Sequence, residues 1–235
     1  MVYYSSSIVR GDALRPSLRK DRTHMNETLI WTLTSIGILA VVILLWVGYS
    51  LLRRWMLRRQ HRYTAVKTGS MLRRFAGIRS YKVISGLQLQ SGEETITVDQ
   101  VLIGFFGIML VMTQDEPGSI YGDYRDKQWM SVVTDKDMRD TKITFDNPVL
   151  QLQKAHDAVR KLLAAHNLYK VQSEGYVVFG GKKVQLTNLG KDKRKGMPLL
   201  TLSQFKKLIH KEKYSANGPV VVEDIYHLLT GKKEK

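Results

Sequence analysis

The run GIMLVMTQDEPG, residues 107 to 118, places Met112 and Gln114 two apart at the end of an apolar stretch. On a strand that spacing points both side chains to one face. A thioether is a poor ligand for a hard cation, and a carboxamide donates hydrogen bonds without carrying charge. Carboxylates stand nearby: Asp115 and Glu116 follow the pair, and Asp123 and Asp126 come with the next segment. Acids beside Pro117-Gly118 are expected to be solvent-facing turn residues, because a metal site needs fixed geometry as well as charge. Several other chemistries find no support in the sequence. The chain has no Cys, no G-x-S-x-G elbow, no G-x-x-x-x-G-K-[ST] loop and no H-E-x-x-H, and its six His never pair at i and i+4 on one helix.

The elements around these residues suggest an α+β domain. YKVISGLQL, TITVDQVLIG and GIMLVMTQ read as a meander of antiparallel strands separated by SGEE and FFG. GSIYGDYRDKQWMSVV predicts a loop and one further short strand. A helix then begins at DNPVLQ, with Asn147 as N-cap and Pro148 at its first position. Its residues Leu152, Ala155, Val159, Leu162 and Leu163 recur at helical spacing and are expected to face the sheet. EGYVVFGGKKVQLTN reads as strand, Gly-Gly turn and strand, and Thr201 with Gln204 suits a capping box for TLSQFKKLIHKE. A last helix, roughly 220 to 230, stops at Gly231.

Upstream lies LIWTLTSIGILAVVILLWVGYSLL, residues 29 to 52, without a single charge. About 20 such residues span a bilayer as a helix. Trp31, Trp46, Tyr49 and Trp55 fall near its two ends, where interfacial aromatics gather. The formal charge of +16 is concentrated behind this segment, since residues 53 to 90 hold ten Lys or Arg and no Asp or Glu. Arg53, Arg54, Arg58, Arg59 and Arg62 therefore form a belt suited to the membrane surface and its anionic headgroups. The positive-inside rule makes the C-terminal domain the cytoplasmic side of a single-pass protein. The imbalance would be larger if translation began at Met25 instead of Met1. The expected organisation is a polar, unstructured tail over 1–28, a transmembrane helix over 29–52, a basic juxtamembrane segment and first helix over 53–80, and a folded domain over 81–235.

Asp99, Gly107, the Met112–Gln114 pair, Gly118-Ser119-Ile120-Tyr121-Gly122, Trp129 and Asn147-Pro148-Val149-Leu150-Gln151 occur in an order that resembles the nuclease-related domain (NERD) family. That family is a branch of the PD-(D/E)XK nuclease-like superfamily. The resemblance covers about residues 65 to 230. It implies a restriction-endonuclease-like mixed sheet flanked by helices, and phosphodiester hydrolysis with Mg²⁺ or Mn²⁺ where the site is intact. Carried over by position, Asp99 is the retained metal ligand and Gln151 the supporting residue. Met112 stands where the family has a Glu, and Gln114 where it has a Lys. The first-helix Gly-Glu has no counterpart in KTGSMLRRF, and the helix His aligns with Ala155.

The resemblance thus implies an inherited fold with a degenerate site at Asp99, Met112, Gln114 and Gln151, expected to be inactive. The expectation is a membrane-anchored binding module for nucleic acid or protein, with no cofactor, or Mg²⁺ or Mn²⁺ if active. Two alternatives stand beside it: an active metal-dependent nuclease with relocated ligands, and a structural subunit of a membrane complex. The basic loop Lys191, Lys193, Arg194 and Lys195, with Lys206, Lys207, Lys211 and Lys213, is the place to look for a DNA-binding patch. Restoring Met112→Glu and Gln114→Lys together is expected to recover metal affinity.

Overall fold

The computed structural model describes residues 15–59, 62–92, 94–135, 137–189, 197–214 and 221–231. The loop with Lys191, Lys193, Arg194 and Lys195, and the tail before residue 15, lie outside the described residues. The chain divides into two compact units, one ending at Trp55 and one beginning at Met56.

The described residues of the first unit belong to helix α1 (Arg15–Arg59). Its stretch Trp31–Leu57 has 27 residues, a mean hydropathy of 2.3 and no buried part, so it is long and apolar enough to cross a membrane. At 1.5 Å per residue such a stretch is about 40 Å long, against about 30 Å of bilayer hydrocarbon. The hydroxyls of Thr34 and Ser35 donate to the Trp31 carbonyl at 2.9 and 2.7 Å, and Ser50 donates to Val47 at 2.8 Å. These polar groups are satisfied within the helix, as a segment without water around it requires. The expectation of an unstructured tail up to residue 28 is corrected for residues 15–28, which extend the same helix. Pro16 sits in the first turn, where proline is tolerated, and no Gly or Pro follows until Gly37. Once an apolar helix is nucleated, adding such residues costs little.

The second unit opens with α2 (Tyr63–Ala76), followed by β1 (Lys82–Ser91), β2 (Glu94–Gly104) and β3 (Gly107–Gln114). Then come β4 (Ser119–Gly122), β5 (Gln128–Thr134), β6 (Asp140–Asp146), α3 (Pro148–Ala165), β7 (Ser173–Phe179) and β8 (Gln185–Leu189). The described chain ends with β9 (Leu199–Thr201), α4 (Leu202–Ile209), a 3₁₀ turn at Glu212–Tyr214 and α5 (Val222–Thr230). The strands form two mixed sheets, one ordered β1-β2-β3-β7-β9 and the other β6-β5-β4-β8. The β1-β2-β3 meander is antiparallel as its sequence suggests, while β7 joins β3, and β9 joins β7, in parallel.

Both faces of the first sheet are covered. On one, Leu152, Ala155, Val159 and Leu163 of α3 pack with Val101, Ile103, Ile108 and Leu110. On the other, Leu72 and Phe75 of α2 and Phe205 and Ile209 of α4 pack with Leu102, Met109 and Val111. Each fully buried Leu, Ile, Val or Phe contributes about 1.5–3 kcal/mol of transfer free energy, so this layered core carries the domain. Helix α3 starts as expected: Asn147 accepts from the Val149 N–H at 2.9 Å and Pro148 opens the helix. The capping box at Thr201 and Gln204 is present, and Gly231 ends α5 in the left-handed conformation.

One local reading is corrected. GSIYGDYRDKQWMSVV holds two strands, β4 and β5, with β6 pairing beyond them. The strand, Gly-Gly turn and strand of EGYVVFGGKKVQLTN are present as β7 and β8, but the two strands enter different sheets, so the glycines do not join paired neighbours. These glycines serve a close approach instead: a Cβ on Gly180 would lie 2.0 Å from the Thr64 hydroxyl, and one on Gly181 would lie 1.9 Å from the Glu116 carbonyl oxygen.

Candidate functional site

Asp99 sits at a fault in the β1–β2 ladder. Ser85 pairs with Gln100 and Leu87 with Val98, but Gly86 and Asp99 between them are not partners, and Gly86 has φ 67°. The alternation slips there: Ile96 and Val98 belong to the α3-side core, and so do Val101 and Ile103. Asp99 and Gln100 thus fall consecutively outside that core. The Gln100 carboxamide donates to the Ala65 carbonyl of α2 at 3.3 Å and accepts from Ser85 at 2.7 Å. Such irregularities re-aim side chains. Here Asp99 Oδ2 accepts from the backbone N–H of Thr113 at 2.7 Å and from its hydroxyl at 2.8 Å.

Thr113 lies between Met112 and Gln114, and the pair itself has a different setting. Met112 is 5% exposed and belongs with Ile108, Leu110, Trp129 and Phe179 in the α3-side core. Gln114 is half-buried, and its carbonyl accepts from the Gly180 N–H at 2.9 Å. Gln151 is exposed on α3 and borders a groove with Glu94, Thr97 and Lys154. Its surroundings are thus the start of β2, while Asp99 is engaged with the end of β3. Ala155 is fully buried, and the adjacent His156 Nε2 lies 2.9 Å from the Ser173 hydroxyl.

Asp115 is the residue that sequence reasoning placed wrongly, as a solvent-facing turn acid. Both of its oxygens accept from the Thr64 N–H, at 3.0 and 3.1 Å, and one also accepts from the Thr64 hydroxyl. Helix α2 has no side-chain cap of its own, since Arg62 occupies the N-cap and makes no capping bond. Asp115 supplies that acceptor from across the fold, and a carboxylate at a helix N-terminus is also favoured by the helix dipole. The available signal was the uncapped start RYT, whose free N–H groups require an acceptor from elsewhere. Asp123 and Asp126 do make local turn bonds, to the N–H groups of Arg125 and Asp123.

Burial pushes the Asp99 carboxyl above its ordinary value; the Thr113 hydrogen bonds oppose the rise, the charge of Asp115 adds to it, and Arg62 lowers it. Ionised Asp99 therefore costs stability. A carboxyl raised in the folded state destabilises as pH climbs past its unfolded value, near 3.8, and carries no penalty well below it. Asp99→Asn keeps an acceptor for the Thr113 N–H and removes the charge. The variant is expected to unfold at a higher temperature than wild type at neutral pH, with the gap closing as pH falls toward about 4. Thermal unfolding across that range checks this, and a less stable variant at neutral pH would contradict it.

A divalent Mg²⁺ or Mn²⁺ would need several oxygens arranged around it. The residues present do not fit it. Asp99 and Asp115 are each engaged by a threonine, and the intended third position is a buried thioether. Among the described residues no three His, Cys, Asp or Glu come together to hold an ion.

The layered α+β domain thus carries Asp99 on β2, a short turn at Gly107 and the Met112–Gln114 pair at the end of β3. The nuclease-related domain (NERD) family matches residues 62–180, from the N-cap of α2 through β7, and the chain belongs to that family. The β9–α4 segment lies beyond the match. Neither the search of curated proteins nor that of solved structures returned a match.

Proposed function

We propose that the protein is a membrane-anchored NERD domain that has exchanged hydrolysis for binding of nucleic acid or a protein partner. The observation that carries this reading is Met112, which stands in the metal-ligand position and is packed in the α3-side core. The commitment of Asp115 to the N-terminus of α2 supports it, because it converts the end of β3 into a mooring for a helix. The exposed apolar length of α1 supports the anchor, and the basic residues after it favour a cytoplasmic domain.

The competing reading, a nuclease with relocated ligands, is favoured by one observation: Asp115, just after β3, lies close enough for its charge to act on Asp99. One assay separates the two. Full-length protein in mild detergent is incubated with single- and double-stranded DNA and Mg²⁺ or Mn²⁺. The expected result is no cleavage above buffer, identical for wild type and Asp99→Ala. Metal-dependent turnover that disappears in Asp99→Ala would establish the competing reading.

A further inference from the structure

Helices α2 and α4 run beside each other over one face of the first sheet, and between them lies an open groove of about 380 Å³. Lys67 and Arg74 of α2, Lys206 of α4 and His210 just after it line it, and among the described residues no Asp or Glu does. Its floor is apolar, formed by Met71, Phe75 and Ile209. Arg79 lies over the Phe75 ring at 4.2 Å. Ile78, in the turn after α2, stands at the rim with 78% of its surface exposed. An isolated exposed Ile is ordinary on a protein surface. An exposed Ile between a cationic rim and an apolar floor is chemically more particular.

We propose that this groove binds the headgroups of anionic phospholipids, with Ile78 entering the acyl region beside them. Two features distinguish a lipid surface from a nucleic-acid backbone. A phosphodiester chain would match the cations but has no use for the protruding Ile78. Of the two rings in the groove, Phe75 and His210, the larger, Phe75, is 3% exposed and so offers no face for base stacking. A lipid supplies both halves of the complement, a negative headgroup for Lys67, Arg74 and Lys206 and hydrocarbon for Ile78. The proposal rests on the membrane-anchored reading given above, and it adds a second attachment, made by the folded unit itself.

The absence of cysteine in the chain makes the test direct. Ile78→Cys in the full-length protein is labelled with an environment-sensitive fluorophore, and Tyr169→Cys, at an exposed site outside the groove, serves as control. The protein is reconstituted into nanodiscs of phosphatidylcholine alone, or of phosphatidylcholine with about 30 mol% phosphatidylserine. The label at residue 78 is expected to brighten and shift to the blue only in the anionic discs, while the control does not change. Replacing Lys67, Arg74 and Lys206 singly by Gln should each weaken docking about five-fold at low salt, with unchanged circular dichroism.

An unchanged signal from residue 78 in incorporated protein overturns the groove proposal and leaves the anchor standing. Failure of the chain to incorporate overturns the anchor and this proposal with it. A response at residue 78 to added duplex DNA in uncharged discs, without one to phosphatidylserine, assigns the groove to nucleic acid instead.

Discussion

Met112→Glu is expected to destabilise the folded unit by about 3–5 kcal/mol, the range for an unpaired charge in a packed interior. Against a typical domain stability of about 5–15 kcal/mol, that is a large fraction of the total. The wild-type side chain is 5% exposed and shares its core with Ile108, Leu110, Trp129 and Phe179, none of which can solvate or pair with a carboxylate. Adding Gln114→Lys brings a cation two residues along the strand, at a half-buried position. It is expected to recover part of the loss and to create no Mn²⁺-dependent cleavage. The structure therefore revises the expectation that restoring both residues recovers metal affinity: the position has been absorbed into the core. Urea unfolding of the single and double variants, with and without Mn²⁺, measures both effects. A stable Met112→Glu protein, or a double variant that Mn²⁺ stabilises, would show that the end of β3 is still open to an ion.

Trp129→Ala is expected to cost about 3–5 kcal/mol, as large-to-small changes at buried aromatics do. Trp129 is 1% exposed and is the largest fully buried side chain of the second sheet. Its ring meets Tyr124 and Phe145 edge-on, both at 6.3 Å between centroids, and its Nε1–H donates to the Asp123 carbonyl at 2.7 Å. Gly122 completes the fit, since a Cβ there would lie 2.4 Å from the indole. The same loop is held from the other side by Asn147, whose Nδ2 donates to the carbonyls of Tyr124 and Asp126 at 3.1 and 2.7 Å. Losing the indole thus loosens the 123–126 loop and, through Asn147, the start of α3. Trp129→Phe keeps most of the buried area and loses the hydrogen bond, so about 1 kcal/mol plus a smaller cavity cost is expected. Denaturant midpoints of the two variants give the comparison, and equal midpoints for Ala and wild type would show that the second sheet does not depend on this ring.

What the sequence made legible was local. The meander, the Asn147 and Thr201 caps and the Gly231 stop each depend on residues within a few positions of one another. Strand β6 escaped because its alternation rests on only two apolar residues, Ile143 and Phe145, too few to mark a half-buried strand. The strand, Gly-Gly turn and strand of the β7–β8 segment were legible, but the approach of its glycines to Thr64 and Glu116, distant in the chain, was not. At the site, the replacement of the Glu and Lys positions was visible in the sequence. The re-aiming of Asp99 at Thr113 was not, because it depends on the unpaired Gly86–Asp99 step in two strands at once. The role of Asp115 was hidden for a similar reason, its partner Thr64 lying 51 residues away.

The parallel strand β9 has a practical consequence for anyone dividing this chain. The family match stops at Gly180, immediately after β7, yet the β7 edge is paired with Leu199–Thr201 and roofed by α4 beyond that limit. A fragment cut at the family boundary would present Val177, Val178 and Phe179 as an open, apolar border with unpaired backbone groups, a template for joining other copies edge to edge. Gln114 on β3 already holds the Gly180 N–H, so that border would be held rigidly in the extended form that recruits neighbours best. The closed edge of β7 thus depends on a segment that lies beyond the family match.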